Sequence, residues 1–213
     1  MADTKISGLT AATIAALANE FAINEAGTSK KLSLDLIRQF LTGNSGLPGN
    51  QSVASQSPAA AATTYLTNSN IAIPASGLRA GTVLRWRFPV TKTAAGTAAK
   101  SLLFKLGTAG AVGDATIITF ALPVGTGVVD TGFIEIEVTI RGPLGASCIA
   151  QGYLWMSHNL ATTGLINVQE TTVIVTSGTF TSSTANLIAG LAFTAGVAEA
   201  WTFPQIIAES LNL

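Results

Sequence analysis

LRWRFPV, residues 84–90, alternates strictly: Leu84, Trp86, Phe88 and Val90 fall on one side of an extended chain, Arg85 and Arg87 on the other. FIEIEVTIR, residues 133–141, repeats the pattern, with Ile134, Ile136, Val138 and Ile140 inward and Glu135, Glu137, Thr139 and Arg141 outward. If the two strands are neighbours, the Arg and Glu rows meet as cross-strand ion pairs. Pro89 predicts an edge position or a strand end. Similar short apolar runs at Ser101 to Leu106, Thr116 to Ala121, Ala146 to Ser157, Thr171 to Ser177, Asn186 to Phe193 and Trp201 to Leu211 are separated by Gly, Pro, Asn and Thr. Tyr65 and Ile71 to Ile73 are weaker additions. About eight to ten turn-punctuated strands, without strand–helix alternation, predict a mainly β fold: an antiparallel, jelly-roll-like β-sandwich over residues 63–213.

The chain ahead of this domain has a different character. Residues 1–43 carry Asp3, Lys5, Glu20, Glu25, Lys30, Lys31, Asp35 and Arg38, a large share of the 11 basic and 11 acidic side chains. AATIAALAN (11–19) predicts a short helix, and Phe21 to Ile23 an extended segment. A turn at 26–29 then leads to a strand at Lys30 to Leu32, closing a hairpin. Ser33 caps a predicted helix from Leu34 to Leu41, with Leu34, Ile37 and Leu41 on one face. Ile6 and Leu9 add two more apolar anchors. A small α+β module of this size has too little core to be comfortable alone, so it is expected to dock onto something. Residues 44–62, rich in Gly, Pro, Ser, Asn, Gln and Ala, predict a flexible linker reaching roughly 25 Å.

Composition narrows the function. Charged residues make up 10% of the 213, against roughly 25% in ordinary soluble proteins, and the net charge is zero. Neutrality gives no attraction for nucleic acid, and no run approaches the roughly 18 apolar residues of a membrane span. A surface this short of charge predicts a homo-oligomer or larger assembly that covers its apolar parts. The start Met-Ala-Asp-Thr-Lys carries no basic region followed by an apolar core, which predicts synthesis in the cytoplasm without a secretory signal.

No residue set reads as catalytic, cofactor-binding or metal-binding. His158 is the one histidine and Cys148 the one cysteine, so one subunit cannot assemble a zinc site of the usual kind. His158 reads as structural or surface, and Cys148 as a small core residue. Glu135 and Glu137 share a strand face, as glycosidase carboxylates can, but opposite Arg85 and Arg87 they read as a compensated solvent face. The glycines of GTAGAVGDA (107–115) lack a phosphate-loop lysine and precede a strand, so they read as a flexible loop. Of the aromatics that could stack on a sugar, Trp86 and Trp155 read as core and Trp201 as the exposed one.

The opening DTKISGLTAAT…EFAINEAGTSKKLSLDLI resembles a segment found at the N-termini of tailed-bacteriophage virion surface proteins. The shared pattern comprises Lys5 to Leu9, Glu20 to Ile23 and Gly27 to Lys31 before a short helix. LRWRFPVTKTAAGTAA (84–99) and LAFTAGVAEAWTF (191–203) also resemble phage structural proteins. The resemblance implies a non-enzymatic virion component, usually a homotrimer, attached through its N-terminal part with a β-rich domain projecting. Ile6, Leu9, Phe21, Ile23, Lys30, Lys31, Leu34, Ile37 and Leu41 would then contact capsid or tail proteins. The chain lacks a long repetitive shaft, which favours a head fibre or capsid decoration protein. The alternative is a tail fibre that recognises a host surface glycan or protein.

Overall fold

The computed structural model describes residues 20–25, 28–33, 48–75, 77–93, 96–182 and 185–211. It divides into two compact units, Met1–Thr42 and Gly43–Leu213. In the first, β1 (Glu20–Glu25) and β2 (Thr28–Ser33) form an antiparallel hairpin, with Phe21 opposite Leu32 and Ile23 opposite Lys30. This is the hairpin that the sequence predicts. The helices expected at 11–19 and Leu34 to Leu41 lie outside the described residues.

The second unit is all β among the described residues. Its strands are β3 (Pro48–Ser52), β4 (Thr63–Tyr65), β5 (Ile71–Ile73), β6 (Val83–Lys92), β7 (Lys100–Gly107), β8 (Ala115–Leu122), β9 (Asp130–Ile140), β10 (Ala150–His158), β11 (Glu170–Thr176), β12 (Leu187–Thr194), β13 (Trp201–Thr202) and β14 (Ile206–Leu211). They form two antiparallel sheets. The larger has the order β11-β10-β9-β6-β14-β3, with β13 also on β6; the smaller runs β4-β12-β7-β8, with β5 also on β12. The run expected as one strand from Trp201 to Leu211 is two strands, because Pro204 lies between the pairing of β13 and that of β14.

Both sheets feed one hydrophobic core. Leu84, Trp86, Phe88 and Val90 of β6 are buried together with Ile134, Ile136, Val138 and Ile140 of β9, as the alternation requires. From the smaller sheet come Leu102 and Phe104, Ile118 and Phe120, and Leu191 and Phe193. Aromatic contacts join the two sets: Trp86 and Phe104 have ring centroids 5.7 Å apart, Phe193 and Trp201 5.2 Å, and Phe193 and Phe203 5.1 Å. Each such buried ring contributes roughly 1.5–3 kcal/mol by burial alone. The indole N–H of Trp86 donates to the carbonyl of Ser69 at 2.6 Å, so its polar atom is satisfied. Gly152 on β10 is where the layers come closest, since a Cβ there would lie 2.6 Å from Phe120 Cζ. Cys148 is buried in the same core, as expected.

The flexible linker expected over 44–62 is corrected from residue 48 onward. β3 pairs with β14 and so forms an edge of the larger sheet, where a leading proline costs no ladder bond. Asn50 Nδ2 donates to Asn70 Oδ1 at 2.6 Å, and Ser52 is buried. Gln56 clamps Thr67, accepting from its N–H at 2.6 Å and donating to its carbonyl at 2.8 Å, while the Gln56 backbone exchanges two hydrogen bonds with Phe203. The polar composition that suggested a tether here supplies amide side chains that fasten the segment down. The GTAGAVGDA loop is likewise organised, with Asp114 accepting from the backbone N–H groups of Ala109 and Ala111.

Tyr65 illustrates how tightly the smaller sheet closes. Its hydroxyl is buried over Gly190, where a Cβ would fall 1.8 Å away, and it makes no hydrogen bond of ordinary geometry. Burial pushes its pKa from 10.0 up to about 12, opposed by Ser69 nearby. The unfolded chain therefore loses this proton first, and stability should fall as pH rises from 10.0 toward about 12. Denaturant midpoints measured across that range should decline in the wild type and decline less in Tyr65→Phe. Equal slopes would contradict the assignment.

Candidate functional site

The outward face of the larger sheet carries the most distinctive surface chemistry. Register places its side chains in cross-sheet rows. One row runs Ile174, Tyr153, Glu137, Arg85 and Glu209; the next runs Thr172, Trp155, Glu135, Arg87 and Ile207. A third brings Ser157 and Phe133 to Pro89. The face therefore grades from an aromatic and apolar side on β10 and β11 to a charged side on β9, β6 and β14.

On the charged side two guanidinium groups meet three carboxylates. Arg85 donates from Nη2 and Nε to Glu137 Oε2 at 2.8 and 3.2 Å, and its Nε lies 4.0 Å from Glu135 Oε1. Arg87 pairs with Glu209. The hydrogen bond to Glu137 raises the Arg85 pKa further, against a smaller desolvation penalty. The predicted meeting of Arg and Glu rows is thus found, with β14 supplying a third carboxylate that sequence spacing did not reveal. On the other side Phe133 and Tyr153 are each 38% exposed and Ile174 67%, and Trp155 is half-buried against Phe133 with ring centroids 6.5 Å apart. Such an aromatic patch, its Phe133 and Trp155 rings tilted at 57°, lies beside carboxylates and hydroxyls and can contact an apolar partner surface or a sugar ring.

A second cluster is internal. Lys92, Lys100, Asp130, His158 and Glu199 are all buried. His158 Nδ1 faces Asp130 Oδ2 at 2.5 Å, and its Nε2 faces the carbonyl of Val168 at 2.5 Å. Both ring nitrogens are thus engaged, which fixes the orientation of the ring. Asp130 also accepts from the N–H groups of Thr131 at 2.8 Å and Leu165 at 3.1 Å. Lys92 donates to the carbonyl of Thr126, and desolvation lowers its pKa.

Trp201, expected as an exposed aromatic, is corrected: it is fully buried. β13 pairs it with Lys92 on β6, its ring packs on Phe193, and its N–H donates to Glu199 Oε2 at 2.9 Å. Trp155, expected in the core, takes the outward position instead, in phase with Tyr153. Of the expected docking residues, Phe21, Ile23, Lys30 and Lys31 lie on the β1–β2 hairpin. Ile6, Leu9, Leu34, Ile37 and Leu41 lie outside the described residues. Among the described residues no group of His, Cys, Asp and Glu could hold a metal ion, and no helix is long and apolar enough to cross a membrane.

No protein-family model matches the chain, and no curated protein is similar to it.

The two clusters should respond differently to truncation. Glu137→Ala removes one partner of a half-exposed pair and should cost no more than about 1 kcal/mol. Asp130→Ala leaves His158 and two backbone N–H groups without their acceptor inside the protein and should cost roughly 3–5 kcal/mol. Urea denaturation of both variants checks this ordering; comparable losses would refute it.

Proposed function

We propose that this chain is a non-enzymatic structural protein of a tailed-phage virion, a homotrimeric head fibre or capsid decoration protein. Residues 1–43 anchor it to the particle, and the remainder displays a jelly-roll-like β-sandwich. The observation that carries this reading is the division of the chain into two compact units, with the β1–β2 hairpin placed in the stretch that resembles virion attachment segments. The aromatic flank of the outer face, with Phe133, Tyr153 and Ile174 exposed, supports assembly, because it offers partner subunits an apolar surface with few charges to desolvate.

Full-length protein added to particles that lack it should bind, and residues 44–213 alone should not. Decoration by the truncated protein would overturn the anchoring assignment, and a monomeric full-length protein in light scattering would overturn the trimer.

A second reading, a tail fibre that recognises a host surface glycan or protein, draws on Tyr153, Trp155 and Phe133, whose rings stand beside Glu135 and Glu137 on the outward face. Under it, the full chain binds host cells, and Tyr153→Ala with Trp155→Ala reduces that binding at least tenfold while leaving particle attachment intact. Unchanged cell binding by the double variant would remove this reading.

A further inference from the structure

A buried ion pair without hydrogen bonds is a costly occupant of a protein core. Lys100 begins β7 in the smaller sheet, and Glu199 lies in the turn between β12 and β13. Both side chains are fully buried, with Lys100 Nζ and Glu199 Oε1 4.0 Å apart. Neither of these two atoms has a hydrogen-bond partner among the described residues. The other carboxylate oxygen, Oε2, accepts the indole N–H of Trp201 at 2.9 Å, and the Lys100 ammonium lies 5.0 Å from the centroid of that ring.

The surroundings are shaped to these two groups. A Cβ on Gly96 would fall 2.2 Å from Glu199 Cγ, one on Gly196 3.0 Å from Glu199 Oε2, and one on Gly125 3.1 Å from Lys100 Nζ. Gly96 thus makes room for the Glu199 side chain, while Gly125 and Gly196 leave the amine and the carboxylate in close but adjustable contact with their surroundings. Ala198, next to Glu199, has a φ of 60°, a left-handed conformation that costs a non-glycine residue energy at the turn delivering the carboxylate. Desolvation lowers the Lys100 pKa to about 8, with Glu199 opposing, so an appreciable fraction of the amine is unprotonated and nucleophilic near neutral pH.

We infer that Lys100 and Glu199 condense to a side-chain isopeptide bond in the folded protein. The balance closes within the pair. The ammonium passes one proton to Oε1, giving an amine and a carboxylic acid. The Nζ lone pair then attacks Cδ and forms the C–N bond, while Trp201 Nε1–H stabilises the negative charge that develops on Oε2. The nitrogen gives a second proton to Oε1, the Cδ–Oε1 bond breaks, and water leaves. Ammonium plus carboxylate become amide plus water, with no oxidant, reductant or other reactant.

Three physical terms favour this direction. Two buried charges become one neutral amide, which removes the desolvation penalty of both. Burial holds Nζ 4.0 Å from Oε1, so the reaction is intramolecular and needs only a small closure to reach the roughly 3–3.5 Å of a near-attack geometry. The surrounding core excludes the water that would drive the reverse reaction. The product would tie the smaller sheet covalently to the segment entering β13, and so to β6 of the larger sheet.

Intact-mass spectrometry of the purified, folded full-length chain decides the matter. The wild type should be lighter than its sequence requires by one water molecule. Proteolysis should yield a branched peptide joining the Lys100 and Glu199 segments, and Lys100→Met should show its full sequence mass. A wild type of full sequence mass would overturn the proposal and leave a non-covalent pair; a water loss mapped to any other residues would overturn it as well. The wild-type measurement stands alone if Lys100→Met fails to fold.

Discussion

Because β6 runs antiparallel to β9 in unbroken register, from Val83 opposite Thr139 to Lys92 opposite Asp130, the alternation of each strand commits that of the other. A slip of one residue would exchange Leu84, Trp86, Phe88 and Val90 for Arg85, Arg87 and Pro89 in the core. Two guanidinium groups would then have to be desolvated, a cost no rearrangement of neighbours could offset. The register is held from both sides, by packing on the inner face and by the Arg85–Glu137 pair on the outer one. β14 and β10 flank this central pair, and their inward and outward residues follow its phase. The rows of the outer face are therefore a consequence of one strand pairing.

What could be read from the sequence was what depends on local alternation. The inward rows of β6 and β9, the meeting of Arg with Glu, the β1–β2 hairpin and the burial of Cys148 all follow from period-2 patterning and turn residues. What escaped depends on distant partners. Gln56 looks like linker until Thr67 and Phe203 are brought to it. Trp201 follows a glycine-rich loop and reads as exposed, yet pairing of only two residues with β6 places it beneath Phe193. Trp155 reads as core because its run is apolar throughout, and only its phase with Tyr153 points outward. In such a run both faces look alike, and tertiary contacts decide which one is covered.

The internal charged cluster was invisible for a related reason. Lys92 and Lys100 end and begin strands, where a lysine normally reaches solvent. Here the segments around Thr126 and Glu199 close over them, Thr126 on Lys92 and Glu199 on Lys100. The nearest sequence signal is the set Gly96, Gly125, Gly164 and Gly196, which looked like loop punctuation. Each of these positions is instead crowded by backbone or by a charged side chain: Glu199 at Gly96, Asp130 at Gly164. Glycines that make room for buried ions and glycines that merely turn the chain are indistinguishable until the neighbours are known.

The distribution of charge also bears on assembly. A protein with so few ions could have spread them over its surface to stay soluble; instead several are spent inside, and those of the outer sheet face are largely paired off. That leaves the aromatic flank of β10 and β11 without charged neighbours on its free side, where β11 is an edge strand with Ile174 outward and Glu170 its single charge. An edge of this composition, with β-branched residues, no proline or lysine and one charge at its start, has little of the usual protection against pairing with another chain. Such an edge persists in a functional protein when a partner covers it, and the neighbouring Tyr153, Trp155 and Phe133 would enlarge that contact. If the proposed trimer buries this flank, the same contact would account for a surface so sparsely charged.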